Sequence, residues 1–202
     1  MKYTTIKRFL DIVLSFVGII VSAPLMVICM LLIYLEDKGN PIFKQTRIGE
    51  NGIPFTLYKL RTMRMNAEKE REYTEIQTQN ESDGPVFKIK DDPRITKIGK
   101  FLRKTGIDEL PQLVNIITNE MSLVGPRPAL PNEVACYTEH HRKRLKCKPG
   151  LTCYWQITPN RNDVLFEDWV EMDLKYIKNK SFKEDLLIIL KTVKVVILMD
   201  GR

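Results

Sequence analysis

The sequence predicts an α+β fold that is mainly helical, with a membrane-seated helix-break-helix at its N-terminus and a small β-hairpin. Three observations carry this. Residues 12–35 hold no charged side chain, a run long enough to cross a bilayer. Two short apolar segments flank Asn51-Gly52, a pair that readily adopts the positive φ of a hairpin turn. Later segments repeat apolar residues every three or four positions, the period of a helix buried on one side. No internal repeat, low-complexity tract or linker divides the chain, so residues 1–202 are read as a single domain with 1–36 as its anchor.

Lys and Arg total 32 against 25 acids, a formal charge of +7. Such an excess favours anionic partners: lipid headgroups, phosphorylated substrates or nucleic acid. The cysteines stand at 29, 136, 147 and 153, with Cys29 inside the apolar run. Three irregularly spaced remaining cysteines do not form a disulfide framework, which fits a reducing compartment. His140 and His141 match no zinc spacing with Cys147 and Cys153, and are expected on a basic, partly exposed helix surface.

At the N-terminus, Pro24 divides the apolar run into halves of about a dozen residues, about 18 Å each at helical rise. Proline removes one backbone donor from a helix and kinks it. Lys2, Lys7 and Arg8 precede the run, and Lys38, Lys44, Arg47, Lys59, Arg61 and Arg64 follow it. Basic flanks stay on the cytoplasmic side, so a segment that enters and returns at Ser22/Pro24 satisfies both flanks. A spanning helix kinked at Pro24 is the alternative. A cleaved signal peptide would have a shorter apolar core.

After the hairpin, Phe55 to Arg61 alternates as a strand and puts Lys59 and Arg61 on one face. Residues 66–80 are dense in charge and read as an exposed helix or loop. Val86 to Lys90 reads as a short strand. Thr96 caps a helix running to Lys104, with Ile98, Phe101 and Leu102 as its apolar face. A second helix is expected to start at Asp108 as N-cap, with Pro111 in its first turn and Leu110, Leu113, Val114 and Ile117 as its stripe. Arg127 lies between Pro126 and Pro128, where the backbone has little freedom and a guanidinium can be aimed at a fixed phosphate. Residues 131–146 read as a basic helix, Leu151 to Ile157 as a strand, and Asn160-Arg161-Asn162-Asp163 as a loop. Two helices follow, 166–177 and 184–199. Trp169 and Tyr176 suit a headgroup boundary, and the last helix suits an interfacial or core position.

Asp108 and Glu109 stand side by side with Arg103 upstream and Arg127 downstream. A helix start favours anions. An Asp carboxylate can attack phosphorus and form an acyl-phosphate. Charge neutralisation would come from arginines and a divalent metal, and carboxylate oxygens suit Mg²⁺.

Seven motifs occur in this order: the apolar run broken at Pro24, Tyr58-Lys59-Leu60-Arg61-Thr62-Met63, Asp92-Pro93-Arg94-Ile95-Thr96, Arg103, Asp108-Glu109-Leu110-Pro111-Gln112, Met121 through Pro128, and Lys148-Pro149-Gly150-Leu151-Thr152. Together they resemble the bacterial sugar transferases, the monotopic phosphoglycosyl transferases, over nearly the whole chain. The resemblance implies transfer of a sugar-1-phosphate from a UDP-sugar to polyprenyl phosphate, with release of UMP, at an early membrane step of surface glycan assembly. It implies Asp108 as nucleophile through a phosphosugar adduct. Glu109 would be its partner in metal binding or charge management, and Lys59, Arg103 and Arg127 would lie around the phosphates. Arg61 and Arg161 are further substrate-binding candidates. Asp108 and Glu109 are the expected Mg²⁺ ligands. The implied setting is the cytoplasmic face of a bacterial inner membrane, entered by a re-entrant helix. Members often carry Ser-Pro at the break, whereas here Ala23 precedes Pro24. Ser22 is expected to bond the carbonyl that the proline frees.

A membrane-anchored module binding nucleic acid or anionic lipid would explain the charge, but not the acidic pair among arginines. No nucleic-acid motif is present, and none is expected as a partner. A lipid-phosphate hydrolase could use the same nucleophile. The sequence is compatible with a homodimer and does not require one.

Overall fold

The computed structural model describes residues 3–70, 80–87, 89 and 91–198. Helix α1 (Tyr3–Asp37) is its longest element. At 1.5 Å per residue it extends about 52 Å, beyond the ~30 Å of a bilayer's hydrocarbon. It is the one helix among the described residues long and apolar enough to cross a membrane. Its buried residues, Asp11, Ser15, Cys29 and Ile33, recur at helical spacing. The other faces expose Phe9, Phe16, Val21, Val27 and Leu31.

Both ends of α1 dock on the same body. Near its start, Arg8 donates to the carbonyls of Ile116 and Ile117 at 2.7 and 3.0 Å, and Lys7 donates to Asp185 at 2.8 Å. Asp11 accepts from the Ser122 hydroxyl at 2.7 Å. Near its end, Cys29 and Ile33 pack with Leu60 and Leu102, and Asp37 pairs with Arg61. Pro24 lies inside the helix, which continues through it. The expected break is therefore not a gap in the helical path, because one missing N–H frees only the carbonyl four residues back. Ser22 does bond backward, but to the Gly18 carbonyl at 2.6 Å rather than to that of Ile20.

Strands β1 (Ile42–Ile48) and β2 (Pro54–Leu60) form the antiparallel hairpin, in register from Ile42↔Leu60 to Ile48↔Pro54. The turn is a 3₁₀ segment, Glu50–Gly52, with φ of 58° at Asn51 and 80° at Gly52. Of the charged stretch 66–80, the first turn is helix α2 (Ala67–Glu70), and 71–79 lie outside the described residues. Of the strand expected at 86–90, Val86, Phe87 and Ile89 are irregular, and Lys88 and Lys90 lie outside the described residues.

Helix α3 (Lys97–Thr105) starts where expected, with Thr96 accepting from Gly99 N at 3.0 Å, and it ends at Gly106 with φ 70°. Leu102 is buried, but Phe101 is exposed. The inward face instead carries Gly99, against the Thr62 backbone. A Cβ at Gly99 would stand 2.0 Å from the Thr62 carbonyl oxygen. Gly99→Ala is expected to destabilise the fold by about 1–3 kcal/mol, because a backbone atom cannot swing aside. A thermal melt of the variant checks this, and an unchanged midpoint would mean that α3 can lift off without loss.

The helix expected to start at Asp108 starts later. Ile107–Glu109 form a 3₁₀ turn, and helix α4 spans Gln112–Ile117 after Pro111. Leu110 N bonds the Ile107 carbonyl at 3.2 Å, the acceptor that Pro111 has no N–H to reach. Asp108 is thus not an N-cap. The buried face of α4 is Gln112, Leu113, Asn115 and Ile116, whereas Val114 is exposed. Packing against Phe55 and Leu57 of the hairpin selects this face.

Strands β3 (Ser122–Val124) and β4 (Gly150–Thr152) pair in parallel. The chain leaves the strand expected to run to Ile157 after Thr152, and Trp155–Ile157 is a 3₁₀ turn. The basic helix expected over 131–146 is broken into α5 (Pro131–Ala135), α6 (Glu139–Arg142) and a 3₁₀ turn, Lys143–Lys146. Tyr137, buried between the helices, and the Thr138 cap on His141 N (3.3 Å) make that break. His141 is buried and His140 is half exposed, each paired with a glutamate.

Helices α7 (Phe166–Asn179) and α8 (Phe182–Ile197) close the chain. Trp169 and Tyr176 are buried rather than at a surface boundary. Trp169 stacks on Trp155, with centroids 4.6 Å apart, and the Tyr176 hydroxyl lies 2.7 Å from Asp185. Helix α8 buries Ile188 but exposes Leu186, Leu190, Val193 and Ile197.

Candidate active site

A cavity of about 950 Å³ lies between the hairpin, α3, the 107–109 turn and α8. Lys59, Arg61, Arg103, Asp108, Glu109, Arg127 and Arg161 all line it. Positions spread over a hundred residues of sequence therefore meet in one place. Ser22 and Pro24 do not line it; they lie on α1.

The 3₁₀ turn presents the two carboxylates unequally. Glu109 is held at both oxygens: Oε1 accepts from Lys59 Nζ at 2.6 Å, and Oε2 accepts from Gln156 Nε2 at 3.2 Å. Among the described residues no side chain donates a hydrogen bond to Asp108, which is buried at 7% exposure. Burial raises the Asp108 carboxyl from 3.8 to about 6; Lys59 and Arg103 oppose this, and Glu109 adds to it. Burial alone would raise Glu109 too, but the charges of Lys59 and Arg127 overcome it and hold Glu109 below the ordinary value. The pair therefore divides into an anchored, ionised Glu109 and an uncommitted Asp108.

The cations are placed by different elements. Lys59 extends from β2. Arg103, in the last turn of α3, donates from Nε to Thr62 Oγ1 at 2.9 Å. Burial presses its guanidinium below the usual arginine value, and Asp108 and Asp92 pull it back. Arg127 sits in a loop held on both sides. The Pro126 carbonyl accepts from Gly150 N at 2.8 Å, and the Pro128 carbonyl accepts from Arg47 at 3.0 Å. Gly125 is required here, since a Cβ would fall 2.3 Å from the Lys148 carbonyl. The Arg127 guanidinium carbon lies 5.6 Å from the Trp155 ring centre.

Two further candidates on the cavity also have protein partners. Arg61 makes a two-pronged pair with Asp37, at 3.0 and 2.5 Å, and so ties the end of α1 to β2. Arg161 donates to the Gln156 carbonyl at 2.9 Å and lies 5.4 Å from the Trp155 ring centre. Sequence reasoning missed Gln156 and Arg47. Gln156 lies in the stretch expected to be a strand, and no local pattern marks a partner 47 residues away.

Among the described residues no group of three or more His, Cys, Asp and Glu is arranged around a metal position. The donor set still fits Mg²⁺, which takes one or two carboxylates and fills its remaining positions with water and substrate phosphate. Asp108 and Glu109 are hard oxygen donors side by side.

The chain matches the family described as bacterial sugar transferase over residues 2–199. It is 44% identical over 195 residues to the galactosyl transferase CpsE of Streptococcus agalactiae, covering 96% of this chain and 43% of that protein. It is 39% identical over 204 residues to the undecaprenyl-phosphate galactose phosphotransferase of Salmonella typhimurium, covering 97% and 41%. It is also 39% identical over 197 residues to the exopolysaccharide production protein ExoY of Sinorhizobium fredii, covering 96% and 87%. The chain spans about two fifths of the length of the first two relatives. A match along nearly its full length shows that the chain belongs to the bacterial sugar transferase family.

Proposed function

We propose that the chain transfers a sugar-1-phosphate from a UDP-sugar to a polyprenyl phosphate, such as undecaprenyl phosphate, in the assembly of a surface glycan. The observation that carries this reading is the unequal carboxylate pair: Asp108 uncommitted, Glu109 anchored, and Lys59, Arg103 and Arg127 on the same cavity.

In the first step an Asp108 carboxylate oxygen bonds to the sugar-bearing phosphorus. The phosphoanhydride bond breaks, and its electron pair leaves on UMP. In the second step a phosphate oxygen of the lipid attacks the same phosphorus, the bond to Asp108 breaks, and the carboxylate is restored. No net proton moves, so the site needs charge stabilisation more than acid–base chemistry. Arg103 and Arg127 supply fixed positive charge, and Lys59 holds Glu109. Mg²⁺, held by Asp108 and Glu109, would neutralise phosphate charge when bound. Ile189, Val193 and Val196 of α8 line the same cavity and give a hydrocarbon chain an apolar wall beside the phosphates.

The anchor is read as monotopic and cytoplasm-facing, re-entrant about Ser22 and Pro24. This is supported by the docking of both ends of α1 on one body and by basic residues on both flanks. Cysteines introduced near residues 4 and 40 are expected to label from one side only; labelling from opposite sides would establish a span.

Incubation with Mg²⁺ and a panel of UDP-sugars is expected to release UMP and leave a protein heavier by one sugar phosphate when acceptor is withheld. UMP release without that adduct would rule out the two-step scheme. Because the attacking form is the carboxylate and burial raises Asp108 to about 6, adduct formation is expected to fall as pH drops through about 6. An unperturbed aspartate would hold its rate to about pH 4. Rapid-quench rates across about pH 3–8, which covers both the raised and the ordinary aspartate range, check this.

A further inference from the structure

We propose that Gln156 is a positioning residue for the Asp108–Glu109 pair, acting through Glu109. This rests on the reading of Asp108 as nucleophile and adds to it a residue that the chemistry does not itself require. Glu109 and Gln156 come from opposite parts of the fold. One belongs to the turn after α3, the other to the 3₁₀ turn Trp155–Ile157 after β4. Their 3.2 Å hydrogen bond links the side chains of those two turns directly.

The geometry makes the amide's role directional. A carboxylate accepts and never donates when ionised, so Gln156 must turn its NH₂ toward Glu109. Its own Oε1 is then buried with no partner among the described residues. An unmatched buried acceptor is unfavourable, and the amide tolerates it because the reverse orientation would point oxygen at oxygen. Gln156 is held there from behind. Trp155 Nε1 donates to the Arg161 carbonyl at 2.8 Å, and Arg161 Nη1 donates to the Gln156 carbonyl at 2.9 Å. These two bonds staple the turn to the segment that follows it. The Trp155 ring, stacked on Trp169 at an interplanar angle of 15°, fixes the staple to α7.

With Lys59 at one oxygen and Gln156 at the other, Glu109 cannot rotate onto the ground that Asp108 must cover. Asp108 is left free to meet phosphorus while its neighbour keeps its charge and direction. Arg161 in turn supports Gln156 from behind the turn.

Three side chains of nearly equal volume separate this from simple packing. Gln156→Met removes the donor, and Gln156→Glu turns a carboxylate toward Glu109. We expect the kcat of sugar-phosphate transfer to fall in the order Gln, Met, Glu. The loss should be about 10–100-fold for Met, as for removal of other groups that orient a catalytic ligand, and larger for Glu. The KM for UDP-sugar and the thermal midpoint of the Met variant should stay near wild type. A packing role predicts equal activity for all three, or a fall in midpoint that tracks the loss of rate, and either result would overturn the proposal. Asp108→Asn, run in parallel, tests the underlying reading separately. If it keeps the adduct, the nucleophile assignment fails, whatever Gln156 does. If it loses the adduct while the Gln156 series is flat, only the positioning role fails.

Discussion

Replacing Asp108 by asparagine is expected to abolish the phosphosugar adduct and to lower turnover by about 10⁴-fold or more, the scale seen when a covalent nucleophile is removed. The substitution keeps the shape of the side chain and removes its charge. The site should therefore remain folded, with Lys59 still on Glu109 and Arg103 still on Thr62. Burial favours the neutral form at this position, since it raises the Asp108 carboxyl to about 6, so the asparagine variant should melt no lower than the parent. The combination of intact stability and lost chemistry is what distinguishes a nucleophile from a structural acid. Intact-mass measurement after exposure to UDP-sugar, alongside a melt, reads both. An adduct on the asparagine variant would move the nucleophile to another residue, with Glu109 the first to test. Asp108→Glu keeps the charge but advances it by one methylene into a site whose cations do not move, and should recover little activity.

The second large effect is on stability and lies away from the chemistry. Arg144 and Asp173 form an ion pair in which the side chains are 3% and 1% exposed. Arg144 also donates to the Tyr137 hydroxyl at 2.9 Å, and its guanidinium carbon lies 5.4 Å from the Trp169 ring centre. Asp173→Ala leaves that guanidinium charged and unpaired in the interior, which costs about 3–5 kcal/mol. For a chain of this size the thermal midpoint should fall by on the order of 10 °C. Replacing both residues together, Arg144→Met with Asp173→Leu, removes the stranded charge and should recover most of the loss. If the double variant is as unstable as the sum of its parts, the pair is not acting as a unit. Arg144 stands just before Lys148-Pro149-Gly150, which leads into β4 and the Gln156 turn, and Asp173 lies on α7. Weakening it should also loosen the site and lower activity at temperatures below the melt.

Much of the site is legible in the sequence because its residues lie in short motifs. Asp108 and Glu109 are adjacent, Arg103 is one short helix turn and a glycine away, and Arg127 is marked by its prolines. The Thr96 cap and the Asn51-Gly52 turn are local signals, set by one side chain or one backbone conformation, and both elements form as expected. The departures share a cause. Spacing marks the apolar stripes of α3 and α4, but it does not say which of two adjacent faces meets a partner. Gly99 against Thr62 turns Phe101 outward, and the hairpin turns Ile116 inward in place of Val114. The stretch 131–146 reads as one basic helix in which Arg144 looks like its neighbours, and its buried partner Asp173 lies 29 residues on.

By itself the sequence determined the long apolar N-terminal helix, the hairpin, the acidic pair and the basic residues around it, because each depends on local geometry or on charge. The tertiary structure alone decided what each charged residue does. It drew Lys59 onto Glu109 from 50 positions away, spent Arg61 on Asp37 and gave Gln156 to Glu109. It also replaced the capped helix start with a 3₁₀ turn that buries Asp108, with no side-chain donor to it among the described residues. A charge's partner and its burial depend on which elements pack together, and no spacing within one element carries that information.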